Sequence, residues 1–501
     1  MKNIFKKIVA INLITVIMLM NFNFLGLNKI IATAEDGEFT SNEWKYNIKI
    51  KKVVAYNFSR TDSNSHGYML DEEGRLWETQ YGGGLKQIFT THRFSDIASG
   101  YDHMLALDEE GYLWGWGDNT YYQLGNGTTE ASTEPIAIYA TKQFESVACG
   151  NDTSFAIDKT GNLYAWGTNE FGQTIKTDTI DIESESLNKT ITIEVATTPQ
   201  LKLSNIKKIS AHGASMLAID KDGYAWGWGM NEYGQLGNYN TAEIKTKTYY
   251  SKPTGGEPAS KYEYEYVETP SKVSETIKFR DVIIGVQNSY GISGHSVLLT
   301  EDGKAYTVGN NYWGQLGDGT KVDKKTLTIP TGLEDIKIIS ILAGSIWSAF
   351  MDENHNIWTC GSNSKGSLGN GTTNDSGTVV KVLKDKEVTF TDFATDSAHN
   401  SIYVFDSNGD LWGWGGNYYE LGCGGYEKQT TPIQITENIK QYTVNFKNGD
   451  TIEKTETVEK GQSATAPELT KAGYTLSWDT DFSNITSDLE VNAVWTANTN
   501  T

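Results

Sequence analysis

Leu105-Ala-Leu-Asp108-Glu-Glu-Gly111-Tyr-Leu-Trp114-Gly-Trp116-Gly117, followed by Gln123-Leu124-Gly125, is the stretch whose reading decides the fold. Met104 to Leu107 alternates as a strand, and Leu113 to Trp116 is a second strand with its aromatics on one side. Asp-Glu-Glu-Gly between them is a hairpin turn, with Gly where the backbone takes positive φ. The block returns along the chain. Phe155-Ala-Ile-Asp158 with Gly161 and Trp166 is one copy, and Leu217-Ala-Ile-Asp220 with Gly223, Trp226 and Trp228 is another. Later copies centre on Gly303, His355 and Gly409, and an eroded one, Tyr68-Met-Leu-Asp71 with Gly74 and Trp77, lies upstream. A second ruler keeps register: Leu124, Thr174, Leu236, Leu316 and Leu368 each lie 13 residues after a centre, and Leu421 lies 12 after its own.

Units of about 50 residues, made of antiparallel strands with a Gly/Trp signature, mean radial repetition. The expected fold is all-β, a seven-bladed β-propeller followed by a small β-grasp-like domain. Each blade buries its tryptophan against a neighbour, so the ring needs closing. The segments at 44–58 and 431–436 are expected to supply the closing strand. Two insertions, 175–200 and 238–276, lengthen the third and fourth repeats. The second carries Lys261-Tyr262-Glu-Tyr264-Glu-Tyr266, a strand with three tyrosines on one face. It reads either as a binding arm or as an arm packed on the rim.

Trp226-Gly-Trp-Gly-Met-Asn231-Glu-Tyr-Gly234-Gln-Leu-Gly237 resembles the repeat of the RCC1 superfamily, over about 44–436. That resemblance implies a seven-bladed propeller. Family members that act as nuclear nucleotide-exchange factors are poor guides here, because the chain carries an export signal and a net charge of −21. The family's secreted bacterial inhibitor of β-lactamases supplies the alternative reading, an enzyme inhibitor. Residues 441–496 (Tyr442-Thr-Val-Asn-Phe446, Gly473-Tyr-Thr, Trp478, Trp495) resemble one InlB B-repeat of Gram-positive surface proteins. A tail follows at 497–501.

The start of the chain reads as a secretory signal over 1–34. Lys2, Lys6 and Lys7 precede an apolar run from Ile8 to about Leu27, and Ala32-Thr-Ala34 fits a signal peptidase. The expected location is therefore secreted, extracellular or attached to a Gram-positive cell envelope. The acidic balance excludes nucleic acid as a partner, since phosphate binding needs clustered Lys and Arg. No integral membrane domain is expected once the signal is removed, and a monomer is expected. Cys149, Cys360 and Cys423 are too few and too far apart for a disulfide framework or a zinc site. Asp406-x-Asn408-x-Asp410 lacks the glycine and the closing glutamate of a Ca²⁺ loop.

No nucleophile–base motif is present, and His66, His103 and His295 fall at one repeat position on three different units. The expectation is a non-enzyme without cofactor or metal; a carbohydrate-active enzyme is the least favoured class. Antiparallel strands place the residues before the first hairpin strand and after the second at one end. Tyr101, Asp102, Asp118, Tyr121, Asp152, Asn169, Tyr290, Tyr312, Trp313, Trp347 and Tyr418 form that candidate binding set, with Tyr262, Tyr264 and Tyr266 on the arm. Rigid aromatics with a hydrogen-bonding rim suit an extracellular protein or a cell-wall or host glycan.

Overall fold

The computed structural model describes residues 48–55, 67–79, 85–184, 189–250, 261–286, 294–384, 388–395, 401–416, 421, 428–436, 441–459, 463–485 and 487–498. The signal segment, Tyr290, Tyr418 and Cys423 lie outside them. Every regular element described is a strand. Seven antiparallel sheets succeed one another between Ile50 and Gln434. The second shows the plan: Phe94–Ser99, His103–Asp108, Leu113–Gly117 and Ser132–Ile138, each beside the next. The third and fourth sheets have a fifth, outermost strand.

The turn between the second and third strands is built by its aspartate. Asp352 Oδ1 accepts the backbone N–H groups of Asn354 and Asn356, both at 2.9 Å, and Oδ2 accepts the Trp358 indole N–H at 2.9 Å. The same indole bond recurs at Asp71–Trp77, Asp108–Trp114, Asp220–Trp226 and Asp406–Trp412. Where the third repeat has Tyr164, Lys142 fills the place on Asp158 at 3.0 Å. The turn glycines take positive φ, and His355, in the glycine's place, does so too at 60°. Gly74, Gly111, Gly161, Gly223 and Gly303 also accept, through their carbonyls, the first N–H of the next sheet. The Asp-x-x-Gly-x-x-Trp pattern is thus a turn, a clamp and a joint. Asp352→Ala strands two backbone donors and an indole in a nearly buried place, so it should cost roughly 2–4 kcal/mol in urea unfolding, with Asp352→Asn milder.

A second knot closes the third strand in the second to sixth sheets. Asn231 Oδ1 accepts Leu236 N at 3.0 Å, and Gln235 Oε1 accepts Tyr233 N at 3.0 Å. Asn119, Asn311 and Asn363 repeat the first bond. The knot turns the next backbone carbonyl toward the following sheet. Gln123 O accepts the Trp166 indole at 2.9 Å and Ser154 Oγ at 2.6 Å. Gln173 O takes Trp228, and Ser367 O takes Trp414. Buried indoles thus fasten three of the joints, whereas the fifth and sixth sheets have Val308 and Cys360 at that position and reach the Gln235 and Gln315 carbonyls through Ser296 and Ser348. Cys149 and Cys360 are buried and lie outside any disulfide.

Closure differs from the expected route. The strand Ile50–Ala55 pairs with Gly67–Asp71 of its own sheet, and Gln429–Gln434 pairs with Leu411–Gly415 of its own. Among the described residues neither end donates a strand to the other. The first and seventh sheets meet instead through Ile50, Val53, Met69, Ala394, Tyr403 and Leu421, and through Val53 N donating to Ala394 O at 2.7 Å. Each sheet satisfies its ladder locally, so closure rests on this packing and on the Val53–Ala394 backbone bond.

The C-terminal segment forms its own mixed sheet in the order Thr451–Glu459, Gln441–Asn448, Leu489–Ala497, Tyr474–Trp478, with its central pair parallel. Val444, Phe446, Val458, Ala464, Ile485 and Val491 are its core.

Candidate binding end and axial channel

The connections between first and second strands, and between third and fourth, emerge at one end of the ring. We call it the loop end. Its loops are tied to their neighbours by backbone bonds: Tyr101 N to Asn151 O, Asn151 N to Gly213 O, and Asn169 N to Glu194 O, at 2.8–2.9 Å. Such tethering holds the loops in place before any partner arrives.

Both insertions project at this end. Thr168, the last residue of its strand, pairs with Val195, so residues 189–194 of the long strand Lys189–Leu203 run past it, paired with Asp178–Ser184. In the fourth sheet Met230 pairs with Tyr266, and Lys261–Glu265 extend beyond, paired with Lys245–Tyr250. The tyrosine face of this second hairpin divides. Tyr264 and Tyr266 pack on Phe171, Ala214 and Met230, and the Phe171 and Tyr266 rings meet edge-on at 5.9 Å. Burial, together with neighbouring negative charge, raises the phenol pKa of both. Lys247 donates to Glu170 O at 2.9 Å and braces the hairpin against the third sheet. Tyr262, farther out, stays 48% exposed. The arm is thus packed at Tyr264 and Tyr266 and exposed at Tyr262.

The remaining candidates sort by their hydrogen bonds. Trp347 is a correction: it is fully buried. It occupies the strand position that His103 and His295 hold in their sheets, and folds over Gly344 as His103 folds over Gly100. Asn169 is spent on the knot, its Oδ1 accepting Thr174 N at 2.9 Å. Asp118 accepts the Gln123 amide at 2.9 Å and the Thr120 hydroxyl at 2.7 Å. Asp102 is buried, and its carbonyl receives Asp118 N. Asp152 and Tyr101 are half-buried at the channel-side loops. Tyr121 and Trp313 are half-exposed, and Tyr312 is exposed at 65% beside Val322 at 64%. The Trp313 indole N–H finds no acceptor among the described residues.

Register reveals more than the single loops did. The residue two after each knot asparagine is aromatic in four successive sheets: Tyr121, Phe171, Tyr233 and Trp313. Phe171 and Tyr233 were not singled out from sequence, although the spacing from Asn169 and Asn231 would have found them.

The innermost strands show a second repeated position. Lys52, Asp96, Ser146, Lys208, Asp281, Ser340 and Asp392 each lie two residues into the first strand of their sheet. Lys52 bonds Asp96 at 2.8 Å, Lys208 pairs with Asp281, and Ser340 donates to Asp392 at 2.7 Å. Of these, Lys208 lines an axial cavity together with Ser99, Tyr101, Cys149, Asn151 and His212. Its histidine is neutral, burial holding His212 down at about 4 against the pull of the Ile284 carbonyl. Among the described residues no group of His, Cys, Asp and Glu could hold a metal, and no helix is long and apolar enough to cross a membrane.

A ring of antiparallel sheets, clamped by Asp–Trp turns and fastened by indole-to-carbonyl bonds, defines a repeat β-propeller with one elaborated loop end. The model of the RCC1-like domain matches residues 71–394. The chain belongs to that family. Human E3 ubiquitin-protein ligase HERC2 is 26% identical over 352 residues, 64% of this chain and 6% of that protein. Human probable E3 ligase HERC4 is 26% identical over 227 residues, 45% of this chain and 19% of its own length. The chain thus spans a small part of these relatives. Human WBSCR16 superposes with a TM-score of 0.54 at 16% identity, covering 72% of this chain and 86% of that one. Yeast Prp20, solved bound to Kap60, gives 0.53 at 16% identity, covering 83% and 91%. A separate Saccharomyces cerevisiae Prp20p structure, reported with its binding to Gsp1p and histones, gives 0.52 at 18%, covering 79% and 88%.

Proposed function

We propose that this chain is an exported, non-catalytic protein-binding head of seven blades, whose loop end docks a partner protein. One observation carries the reading. Tethered loops at one end present a repeated aromatic position, and two hairpins project beside it, leaving Tyr262, Tyr312 and Val322 exposed. Rigid aromatics on a fixed frame bind at low entropic cost. Relatives of the same architecture are described with protein partners, which supports the class of ligand while leaving its identity to this chain's own loops. The basic, apolar start of the chain supports export, and the C-terminal sheet, a β-grasp-like InlB B-repeat in this reading, supports an envelope setting in a Gram-positive cell. A partner that is itself an extracellular enzyme would make the head an inhibitor.

Two measurements test this. Mass spectrometry of the protein from the culture medium and envelope should find an N-terminus near Glu35; an intact Met1 in all fractions would sink export by cleavage. Capture from the same fractions should yield a protein whose affinity falls at least tenfold for Tyr312→Ala with Val322→Ser, with unchanged melting temperature. Equal capture by this variant would place the docking surface elsewhere.

A further inference from the structure

The outermost strands of the ring are protected in most sheets. Ser132–Ile138, Lys324–Thr328, Ser376–Lys381 and Gln429–Gln434 each pair with a break in register, and Leu85–Ile88 is only four residues long. Breaks and shortness blunt a free edge against another strand. The strand Asp178–Ser184 is different. It makes seven unbroken pairs with Lys189–Val195, and among the described residues no strand lies on its other side. It contains no proline and no lysine. The matching edge on the fourth sheet, Lys245–Tyr250, carries two lysines, which pair with Glu268 and Glu170.

The charge on the open edge has one sign. Its sequence is Asp-Thr-Ile-Asp-Ile-Glu-Ser, and Asp178 and Asp181 are exposed. Asp178 accepts only the neighbouring Thr179 N–H and Asp181 the Thr192 hydroxyl; no cation pairs with either among the described residues. The nearby Lys176 is bonded to Glu194. A second copy of this strand laid antiparallel would set carboxylate against carboxylate, which disfavours pairing. A lysine-bearing strand would satisfy both the free backbone groups and the free charge.

We propose that Asp178–Ser184 receives an extended, lysine-rich segment of the partner protein as an added β-strand. The proposal rests on the loop end being the docking end. Main-chain bonds would supply affinity, and Asp178 and Asp181, three residues apart and so on opposite faces of the strand, would select basic side chains on both faces of the added one.

The probe is a fluorescent ten-residue peptide of repeated Lys-Lys-Thr-Thr, which puts lysines on both faces of an added strand, titrated into the full chain. A second peptide has the same sequence with every other backbone nitrogen methylated, which removes strand bonding and keeps charge. The Asp178→Lys/Asp181→Lys variant is compared with Glu109→Lys/Glu110→Lys, which makes the same charge change in a turn at the opposite end. Expected are a loss of at least tenfold on methylation, a like loss for the edge variant only, and slowed amide exchange at 178–184 with peptide. Equal binding of the methylated peptide, equal loss in both variants, or no binding at all would overturn the proposal. Because the probe is synthetic, such a failure leaves the Tyr312 result standing, and failure at Tyr312 leaves the edge result readable.

Discussion

Acidification from pH 7 to pH 4.5 should destabilise the propeller by several kcal/mol, well before most carboxylates titrate. Three histidines set this, His103 and His295 buried and His212 half-buried at the cavity. Burial pushes His103 down to about 4, outweighing the charge of Asp118 and the Asn151 carbonyl. His212 lies at about 4 and His295 at about 3, again through burial first. His103 and His295 make the same latch: Nε2 donates to Ser154 Oγ at 2.8 Å and to Ser348 Oγ at 2.9 Å, and each serine passes its own proton to the Gln123 or Gln315 carbonyl of the preceding sheet. A protonated ring would bring an unsolvated charge into that chain. The unfolded chain binds the proton near pH 6.5, while the folded chain refuses it until about pH 4 or 3. Stability is therefore complete above pH 6.5 and declines as pH falls through the window below it. Each histidine contributes up to about 1.4 kcal/mol per pH unit within that window. Urea midpoints of the parent and of His103→Gln with His295→Gln, taken from pH 7.5 to 4.5, should converge toward low pH. Parallel curves would show that the latches do not titrate as described.

The ring was legible because its determinants are local and repeated. Asp-x-x-Gly-x-x-Trp and Asn-x-x-Gly-Gln-Leu-Gly fix turns by bonds within a dozen residues, and such bonds leave a spacing in the sequence. Their partners across sheets were harder to read. Trp347 looked like a loop aromatic because tryptophan is uncommon at a position held elsewhere by histidine, and only the register of the strands shows that it enters the seam. Asn169 and Asp118 looked like a hydrogen-bonding rim, yet their side chains are used by the knot that follows them. The Lys–Asp–Ser position was missed for a related reason. One polar residue in each first strand carries no local signal, and its meaning comes from neighbours 40 to 70 residues away. The arm was legible as a strand with a tyrosine face, whereas the packing of Tyr264 and Tyr266 and the exposure of Tyr262 depend on Phe171 and Met230 of adjoining elements.

Trp166→Ala should be among the costliest single changes in the protein, at about 3–5 kcal/mol for an emptied aromatic site. The ring is fully buried between the second and third sheets, among Leu105, Leu124, Ile138 and Phe144. Its indole bond to Gln123 O is the smaller part, because Ser154 still donates to that carbonyl. Trp166→Phe, which keeps most of the volume, should accordingly cost less than half as much. Gly125 strikes the same contact from the other side. Its φ is +64°, and a Cβ there would sit 2.6 Å from both Cδ1 and Nε1 of Trp166. Gly125→Ala alone therefore combines left-handed strain, about 1–2 kcal/mol, with a collision against a ring that has no room to retreat. Once Trp166 is alanine, the collision is gone and only the backbone strain remains. The double variant should then be more stable than the sum of the singles by at least 1 kcal/mol, a coupling that distant sites do not show. Chemical denaturation of all four members of the cycle measures it. Strict additivity would mean that the glycine serves its turn alone, and that the fastening of one sheet to the next does not depend on the close approach of Gly125 to the buried indole.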